Sequence, residues 1–323
     1  MHPGSSWSND DASGCFGRQS LIANLQRTLL GLWLLGILVA VLRLMSDLSD
    51  AGAWLLLGLL TLTHAAVLAV EFVWMLASHG DDPTPRPRPA QLLRAWMAEC
   101  LHAPLVFFWR QPLRHRRWPD PPASGTAPRR AVLLVHGYVC NRGLWNAWLA
   151  RLQAQGTPGL AVNLEPPFGD IDAYRPIIDD AVRTLTRLTG RPPLVVAHSM
   201  GGLAVRAWWA HAAPDAIHHL VTLGSPHHGT RLARLGVTAN ARQMREHSRW
   251  LQDLAARETP EHRARTTCVH SHCDNIVFPP ANALLTGAAH VHLPATPHVA
   301  MVDHPQAWAI AEALRADTTA PAR

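Results

Sequence analysis

The sequence predicts an α/β fold with a mostly parallel sheet, preceded by two membrane-spanning helices. After residue 130, short β-branched runs alternate regularly with helical stretches, which is the pattern of a parallel sheet with helices on both faces. Two long apolar runs precede this region. The chain has 323 residues, of which 48% are hydrophobic, so it is long enough for one full domain and a smaller module.

The first part of the chain predicts a tail followed by a membrane hairpin. Residues 1–25 are rich in Ser, Gly, Asn and Asp and are expected to form a disordered tail. Residues 26–80 contain two apolar runs, each as long as the ~20 residues that a bilayer requires. His64 and Glu71 interrupt the second run, and we expect them to face a partner helix or to lie near the interface.

The distribution of arginine predicts the orientation of the hairpin. The net charge of +6 comes from arginine alone, and no nucleic-acid motif accompanies it. The turn between the spans contains Asp47 and Asp50, whereas Arg18 and Arg27 precede the first span and many arginines follow the second. The positive-inside rule therefore places both ends of the hairpin in the cytoplasm.

Residues 81–129 predict a Pro/Arg-rich linker that contains an interfacial helix. The segment begins with DDPTPRPRP and ends with PDPPASGTAP, which are compositions of extended linkers. The stretch between them is amphipathic and is interrupted by Pro104. We expect it to lie along the membrane, and a helix packed on the globular domain is the alternative.

Residues 130–323 predict the α/β domain. Helices are expected at about 144–155, 173–189, 200–212 and 305–316. The strands are expected at residues 131–135, 160–164, 194–198, 220–224, 266–271 and 289–293.

A serine follows the third of these strands directly. The strand LVVAH runs into Ser199 and then into Met-Gly-Gly at the start of a predicted helix. A nucleophile elbow has this order, because the sharp turn that presents the serine hydroxyl requires small neighbours. Ala197 replaces the first glycine of the usual G-x-S-x-G pattern, and alanine is the smallest replacement. We predict Ser199 as a nucleophile, and a Gly-rich helix entry is the alternative.

Two backbone N–H groups are predicted to donate hydrogen bonds to a developing oxyanion. The backbone N–H of Met200 opens the helix after the serine and is placed to donate to such an oxygen. The first strand ends in His136-Gly137-Tyr138-Val139, where the glycine permits a tight turn over the sheet edge. A second donor is expected in this loop, whereas His136 itself is expected to be structural.

With these motifs in order, residues 131–310 resemble bacterial lipases and esterases of the α/β-hydrolase superfamily. The segments NLEPPFGDIDAY at 163 and NARQMREHSRWLQDL at 240 also resemble sections that precede the nucleophile and form a small lid, here at about 226–265. The membrane hairpin is not part of the resemblance. The likeness is carried by HGY at 136, AHSMGG at 197, TLGSPHHGT at 222, SHCDNIV at 271 and PHVAMVDHP at 297.

The resemblance implies a catalytic triad in the order serine, acid, histidine. Asp274 follows a late strand and His298 precedes the last helix, so they are the expected acid and base. An aspartate on an earlier strand is the alternative acid. The resemblance also implies that the backbone N–H of Tyr138 is the second oxyanion donor, with Val139 as the alternative.

The family implies hydrolysis of carboxylic esters through an acyl-enzyme on Ser199, with a lipid or acyl-ester substrate and no nucleic acid. An acyltransferase or thioesterase on the same triad and a non-catalytic membrane scaffold are the alternatives. We expect the catalytic domain to be on the cytoplasmic side of a bacterial inner membrane. Four residues of the lid segment are expected to form its core or to line an acyl pocket. They are Leu235, Met244, Trp250 and Leu251.

Neither a metal nor a cofactor is expected. His270, His272, Cys273 and Asp274 do not complete a known metal-ligand spacing. The five cysteines form an odd, scattered set, which favours free thiols in a reducing compartment over a disulfide framework.

Overall fold

The computed structural model describes residues 20–121 and 129–316. Most of the predicted tail therefore lies outside the described residues. Helix α1 (Leu21–Ser46) begins within the segment assigned to the tail, because the Ser20 side chain caps it by accepting a hydrogen bond from the Ala23 N–H. Helix α2 (Ala51–Ala77) begins after Asp50, which accepts from the Ala53 N–H in the same way.

The two helices form a hairpin with a largely exposed apolar surface. Trp33 on α1 donates its indole N–H to the Leu60 carbonyl on α2 at 2.9 Å. Arg43 and Asp50 pair across the turn at 2.7 Å. Both helices are long and apolar enough to cross a membrane. In each, only 11% of the most apolar 18-residue stretch is buried.

A third helical segment packs against both helices of this hairpin. It consists of α3 (Pro89–Pro104), a π-helical stretch Leu105–Arg110 and α4 (Gln111–Arg114). Pro104 was expected to interrupt it, but the chain continues helically through the proline with a π-helical stretch directly after it. Exposed apolar side chains repeat every four residues along the segment. They are Leu93, Met97, Leu101, Leu105, Trp109 and Leu113.

The same segment also packs on the globular domain. Trp96 donates to the Ala65 carbonyl of α2 at 3.0 Å, whereas Glu99 accepts from backbone N–H groups of residues 299 and 300. Helix α3 therefore lies between the hairpin and the domain. It has the apolar exposed face expected of an interfacial helix and, at the same time, the buried contacts of a packed one.

Six parallel strands form one sheet in the order β2-β1-β3-β4-β5-β6. Every predicted strand is present, although the second ends at Ala161 rather than at residue 164. Because all strands run the same way, their carboxyl ends meet at one edge of the sheet. The strands are β1 (Val132–Val135), β2 (Gly159–Ala161), β3 (Leu194–His198), β4 (His219–Leu223), β5 (Thr266–His270) and β6 (Ala289–His292).

Helices cover both faces of the sheet. Side chains of successive strand residues point to opposite faces, so Leu133 and Val135 enter one core cluster while Val132 and Leu134 enter the other. The residues predicted to form a lid contain three short helices between β4 and β5. The domain's helices are α5 (Asn146–Ala154), α6 (Arg175–Thr189), α7 (Met200–Trp209), α8 (Ala239–Gln243), α9 (Arg249–Arg257), α10 (Pro260–Ala264) and α11 (Pro305–Ala316).

The end of α2, helix α3 and the loop after β5 share a third apolar cluster. The indole of Trp74 meets the ring of Phe278 edge-on, with 5.5 Å between the ring centroids. The helical hairpin is therefore packed directly against the loop that follows β5. The buried members of the cluster are Phe72, Met75, Ala95, Cys273 and Phe278.

Candidate active site

Ser199 occupies a strained turn between β3 and α7. Its backbone has φ +56° and ψ −130°, a conformation that costs a residue with a side chain on the order of 1–3 kcal/mol. The turn is fixed by a hydrogen bond of 2.9 Å from the Ser199 N–H to the Leu223 carbonyl at the end of β4. Ala197 lies inside β3 with its methyl group in the core, so the fold does not require glycine at that position.

The loop after β1 passes directly over this serine. A Cβ atom on Gly137 would lie 2.7 Å from the Cβ of Ser199 and 3.2 Å from its Oγ, so only glycine fits there. Among the described residues, none accepts a hydrogen bond from the N–H of Tyr138, Val139 or Met200. Met200 is the first residue of α7, where an N–H has no intrahelical acceptor.

Asp274 and His298 form a buried pair. The Nδ1 of His298 donates to Asp274 Oδ2 at 3.0 Å. The other carboxylate oxygen, Oδ1, accepts from the N–H groups of Ile276 and Val277 at 2.9 and 2.8 Å, which fixes the carboxylate. This geometry gives the imidazole the tautomer with a proton on Nδ1 and a free lone pair on Nε2.

The end of β4 brings the serine and this pair to the same edge of the sheet. The Leu223 carbonyl accepts the hydrogen bond from the Ser199 N–H. The next residue, Gly224, packs against the Asp274–His298 pair. Gly224 has φ +56°, and a Cβ atom on it would lie 2.8 Å from Asp274 Oδ2 and 3.1 Å from His298 Nδ1. Ser199 Oγ has no hydrogen-bond partner in the described part of the chain.

The surroundings of His298 favour its protonated form. Burial acts to lower the pKa of His298, but Asp274, Glu99 and Glu71 outweigh it, and the net pKa is raised above its ordinary value. His198 lies beside it, with 4.5 Å between ring centroids, and its Nε2–H donates to the His298 carbonyl at 3.1 Å. Burial lowers the pKa of His198 well below its ordinary value, so this neighbour is neutral.

His136 has the structural contacts that the sequence suggested. Its Nδ1–H donates to the Gly137 carbonyl at 2.9 Å, and its Nε2 accepts from the Leu164 N–H at 3.0 Å. Burial lowers the pKa of His136 to about 4, so the ring stays neutral while it joins the two loops.

Sequence reasoning missed Glu99 as a neighbour of the candidate site and left the role of Glu71 open. Glu99 on α3 is 1% exposed and accepts from the Val299 and Ala300 N–H groups next to His298. Glu71 on α2 accepts from Asn275 Nδ2 at 2.7 Å, next to Asp274. Glu71 stands out in the sequence because it is a carboxylate inside an apolar run, whereas nothing in the local sequence distinguishes Glu99.

An apolar cavity of about 250 Å³ opens beside Ser199. Of the four lid residues considered from the sequence, Leu235 and Met244 line this cavity, whereas Leu251 is buried in the core and Trp250 packs against it. The cavity is lined by Tyr138, Ser199, Pro226, Thr230, Leu232, Ala233, Leu235, Gly236, Ala241, Met244, Ile276 and Val277.

In the described residues, no group of three or more His, Cys, Asp or Glu side chains is arranged to hold a metal ion. His272 Nδ1 lies 2.7 Å from His292 Nε2, and burial lowers the pKa of His270 and His272 to about 4. The four described cysteines are free, and Cys15 lies outside the described residues.

Comparison with known proteins supports this architecture. Residues 130–272 match the sequence model of a family described as the alpha/beta hydrolase fold. The mature lipase BlEst2 of Bacillus licheniformis superposes with a TM-score of 0.53 at 16% identity, covering 60% of this chain and 95% of the lipase. Lipase B of Aspergillus fumigatus gives a TM-score of 0.51 at 19% identity, covering 59% of this chain and 54% of that one. Among curated protein sequences, none matches the chain.

The predicted fold class is therefore confirmed. The chain has the α/β-hydrolase fold, with a parallel six-stranded sheet preceded by two apolar helices. The resemblance to lipases and esterases is also confirmed at the level of structure, and at identities below 20% it concerns the fold alone.

Proposed function

We propose that the chain is a membrane-associated serine hydrolase that cleaves carboxylic esters through an acyl-enzyme on Ser199. The observation that carries this proposal is the meeting of three features at one sheet edge. They are a strained serine whose Oγ has no hydrogen-bond partner among the described residues, a buried Asp274–His298 pair across the end of β4, and an apolar cavity that the serine lines.

In this proposal His298 is the general base. Its Nε2 takes the proton of Ser199 as Oγ forms a bond to the ester carbonyl carbon, and the same proton passes to the leaving alcohol as the ester C–O bond breaks. Water then attacks the acyl-enzyme by the same route and releases the acid. Asp274 keeps the imidazole in the required tautomer and stabilises its protonated form.

The N–H groups of Tyr138 and Met200 are the proposed oxyanion donors. Both flank Ser199, and neither has an acceptor among the described residues, so each is free to donate to the carbonyl oxygen as charge develops on it. Donors fixed in this way cost no reorganisation during the reaction. Val139 remains the alternative donor in the same loop.

The apolar cavity supports a lipid or another acyl ester as the substrate. Leu232 lines the cavity and also packs against the cluster that contains the end of α2, so the cavity adjoins the hairpin. An acyl chain from the bilayer would have a short path to Ser199. The arginine-rich flanks of the hairpin support a cytoplasmic position for the catalytic domain.

A fluorophosphonate probe tests the proposal directly. The full chain in detergent is expected to form a covalent adduct on Ser199, detected by mass spectrometry of the peptide that contains it, and heat-denatured protein is expected to form none. Absence of an adduct on the native protein would overturn the enzyme proposal in favour of a non-catalytic scaffold.

The cavity predicts a limit on acyl-chain length. Replacing Ala233 with Phe fills part of the cavity, because Ala233 is buried in its lining. The ratio of kcat/KM for a long-chain over a short-chain p-nitrophenyl ester is expected to fall about 10- to 200-fold. The matched control is Ala256→Phe on the exposed side of α9, which should leave the ratio unchanged. Equal ratios in the two variants would show that the acyl chain binds elsewhere.

A further inference from the structure

We infer that Glu99 on α3 and Glu71 on α2, the second helix of the hairpin, are positioning residues that hold His298 and the Asp274 loop in place. The inference rests on the proposed function. Both carboxylates lie outside residues 130–272, the part of the chain that matches the hydrolase family. The hairpin and α3 then supply residues that position the active site, in addition to anchoring the chain.

Glu99 caps the short helix that follows His298. Residues Val299–Asp303 form one 3-10 turn, and its first N–H groups have no acceptor within the turn. Glu99 Oε1 accepts from the Val299 N–H at 2.9 Å and Oε2 accepts from the Ala300 N–H at 3.3 Å. Because both oxygens are used on consecutive residues, the carboxylate fixes the backbone immediately after His298.

Glu71 acts through Asn275 on the other side of the pair. Asn275 Nδ2 donates to Glu71 Oε2 at 2.7 Å, and Asn275 Oδ1 accepts from the His298 N–H at 3.2 Å. Asn275 is 1% exposed and directly follows Asp274. This side chain therefore connects α2 to the backbone of His298. The loop residue Asn275, bound to Glu71, accepts from the His298 N–H, and Glu99 on α3 accepts from the N–H groups of the two residues after it.

The two carboxylates also act on His298 through their charge. The charged and titratable groups near its ring are Asp274 from the loop after β5, Glu99 from α3, Glu71 from α2 and His198 from β3. Burial raises the pKa of Glu99 to about 7. In their charged forms the two carboxylates raise the pKa of His298, so removing one of them is expected to lower it. A neutral His298 is the active base, and its activity would then persist to lower pH.

The test uses the full chain in detergent micelles and measures the rate of fluorophosphonate labelling across a range of pH. For Glu99→Gln we expect a labelling rate about 100-fold lower at alkaline pH, because the base is misplaced. We also expect the acidic limb of its profile to move to lower pH. Glu71→Gln should change both quantities in the same directions. Glu261→Gln is the matched control, since Glu261 is exposed on α10 and its one ion pair among the described residues is with Arg265.

The outcomes separate the inference from the proposed function. If the wild-type protein is not labelled, the proposed function fails. If it is labelled, and Glu99→Gln has the labelling rate and the acidic limb of the pH profile of the wild type, the inference fails. A lower rate with an unmoved limb would make Glu99 a structural cap only and would also overturn it. Thermal unfolding shows whether Glu99→Gln is folded at the assay temperature, and if it is not, Glu71→Gln decides by the same criteria.

Discussion

Replacing Ser199 with alanine is expected to lower the turnover of a p-nitrophenyl ester by about 10⁴-fold or more. The variant keeps the cavity, the proposed oxyanion donors and the Asp274–His298 pair, but it has no atom that can form the acyl-enzyme. The loss should appear in kcat, measured with the full chain in detergent and corrected for spontaneous hydrolysis. The fluorophosphonate adduct should disappear together with it.

The stability of this variant should hardly change. Ser199 Oγ has no hydrogen-bond partner in the part of the chain that the structure describes, and alanine meets the same backbone strain at φ +56°. We expect the free energy of unfolding to stay within about 0.5 kcal/mol of the wild type. Ser225→Ala is a suitable control, because Ser225 is also buried near the sheet edge and its Oγ has no hydrogen-bond partner within residues 20–121 and 129–316. Equal loss in both variants would contradict a specific role for Ser199.

The sheet and the serine could be predicted from the sequence because their signals are local. Each strand is a short β-branched run between turns, and Ser199 follows one of them within a recognisable pentapeptide. Asp274 and His298 could be predicted as a pair only through the order of motifs in a family, since 24 positions separate them. Their hydrogen bond agrees with that prediction, while their catalytic role stays a proposal.

The contacts that Glu99 and Glu71 make with the candidate site could not be predicted, because they join segments that are distant in the sequence. Glu99 and Val299 are 200 positions apart, and Glu71 and Asn275 are 204 apart. Periodicity describes which face of a helix is apolar and does not identify the surface it meets. For α3 the sequence therefore left two alternatives, the membrane and the domain, and the helix has features of both. The lid residues pose the same problem, since an apolar side chain suits a cavity wall and a core equally well.

A buried ion pair at α7, the helix that follows Ser199, is the basis of the largest stability prediction. Arg206 on α7 and Glu258 after α9 are 2% and 4% exposed at their side chains, and they pair through two hydrogen bonds of 2.6 and 2.8 Å. Arg206 Nη1 also donates to His227 Nδ1 at 3.1 Å. Burial, together with Arg206, holds the pKa of His227 well below its ordinary value, so its neutral ring accepts this bond and donates from Nε2 to Thr222 Oγ1.

Arg206→Met is expected to destabilise the protein by about 3–5 kcal/mol, because it leaves the carboxylate of Glu258 buried, and its remaining partner in the described part of the chain is Arg263 at a distance of 3.9 Å. For a domain of this size that corresponds to a fall of about 6–20 °C in Tm, which tryptophan fluorescence can follow. The double variant Arg206→Met/Glu258→Leu should recover most of the loss, since two apolar side chains replace both charges. Arg249→Met removes an ion pair of 3.9 Å that is 93% and 52% exposed, so it should change stability by no more than about 0.5 kcal/mol. If the double variant were as unstable as Arg206→Met, the cost would come from lost packing around α7, and the ion pair itself would not be what joins α7 to the segment after α9.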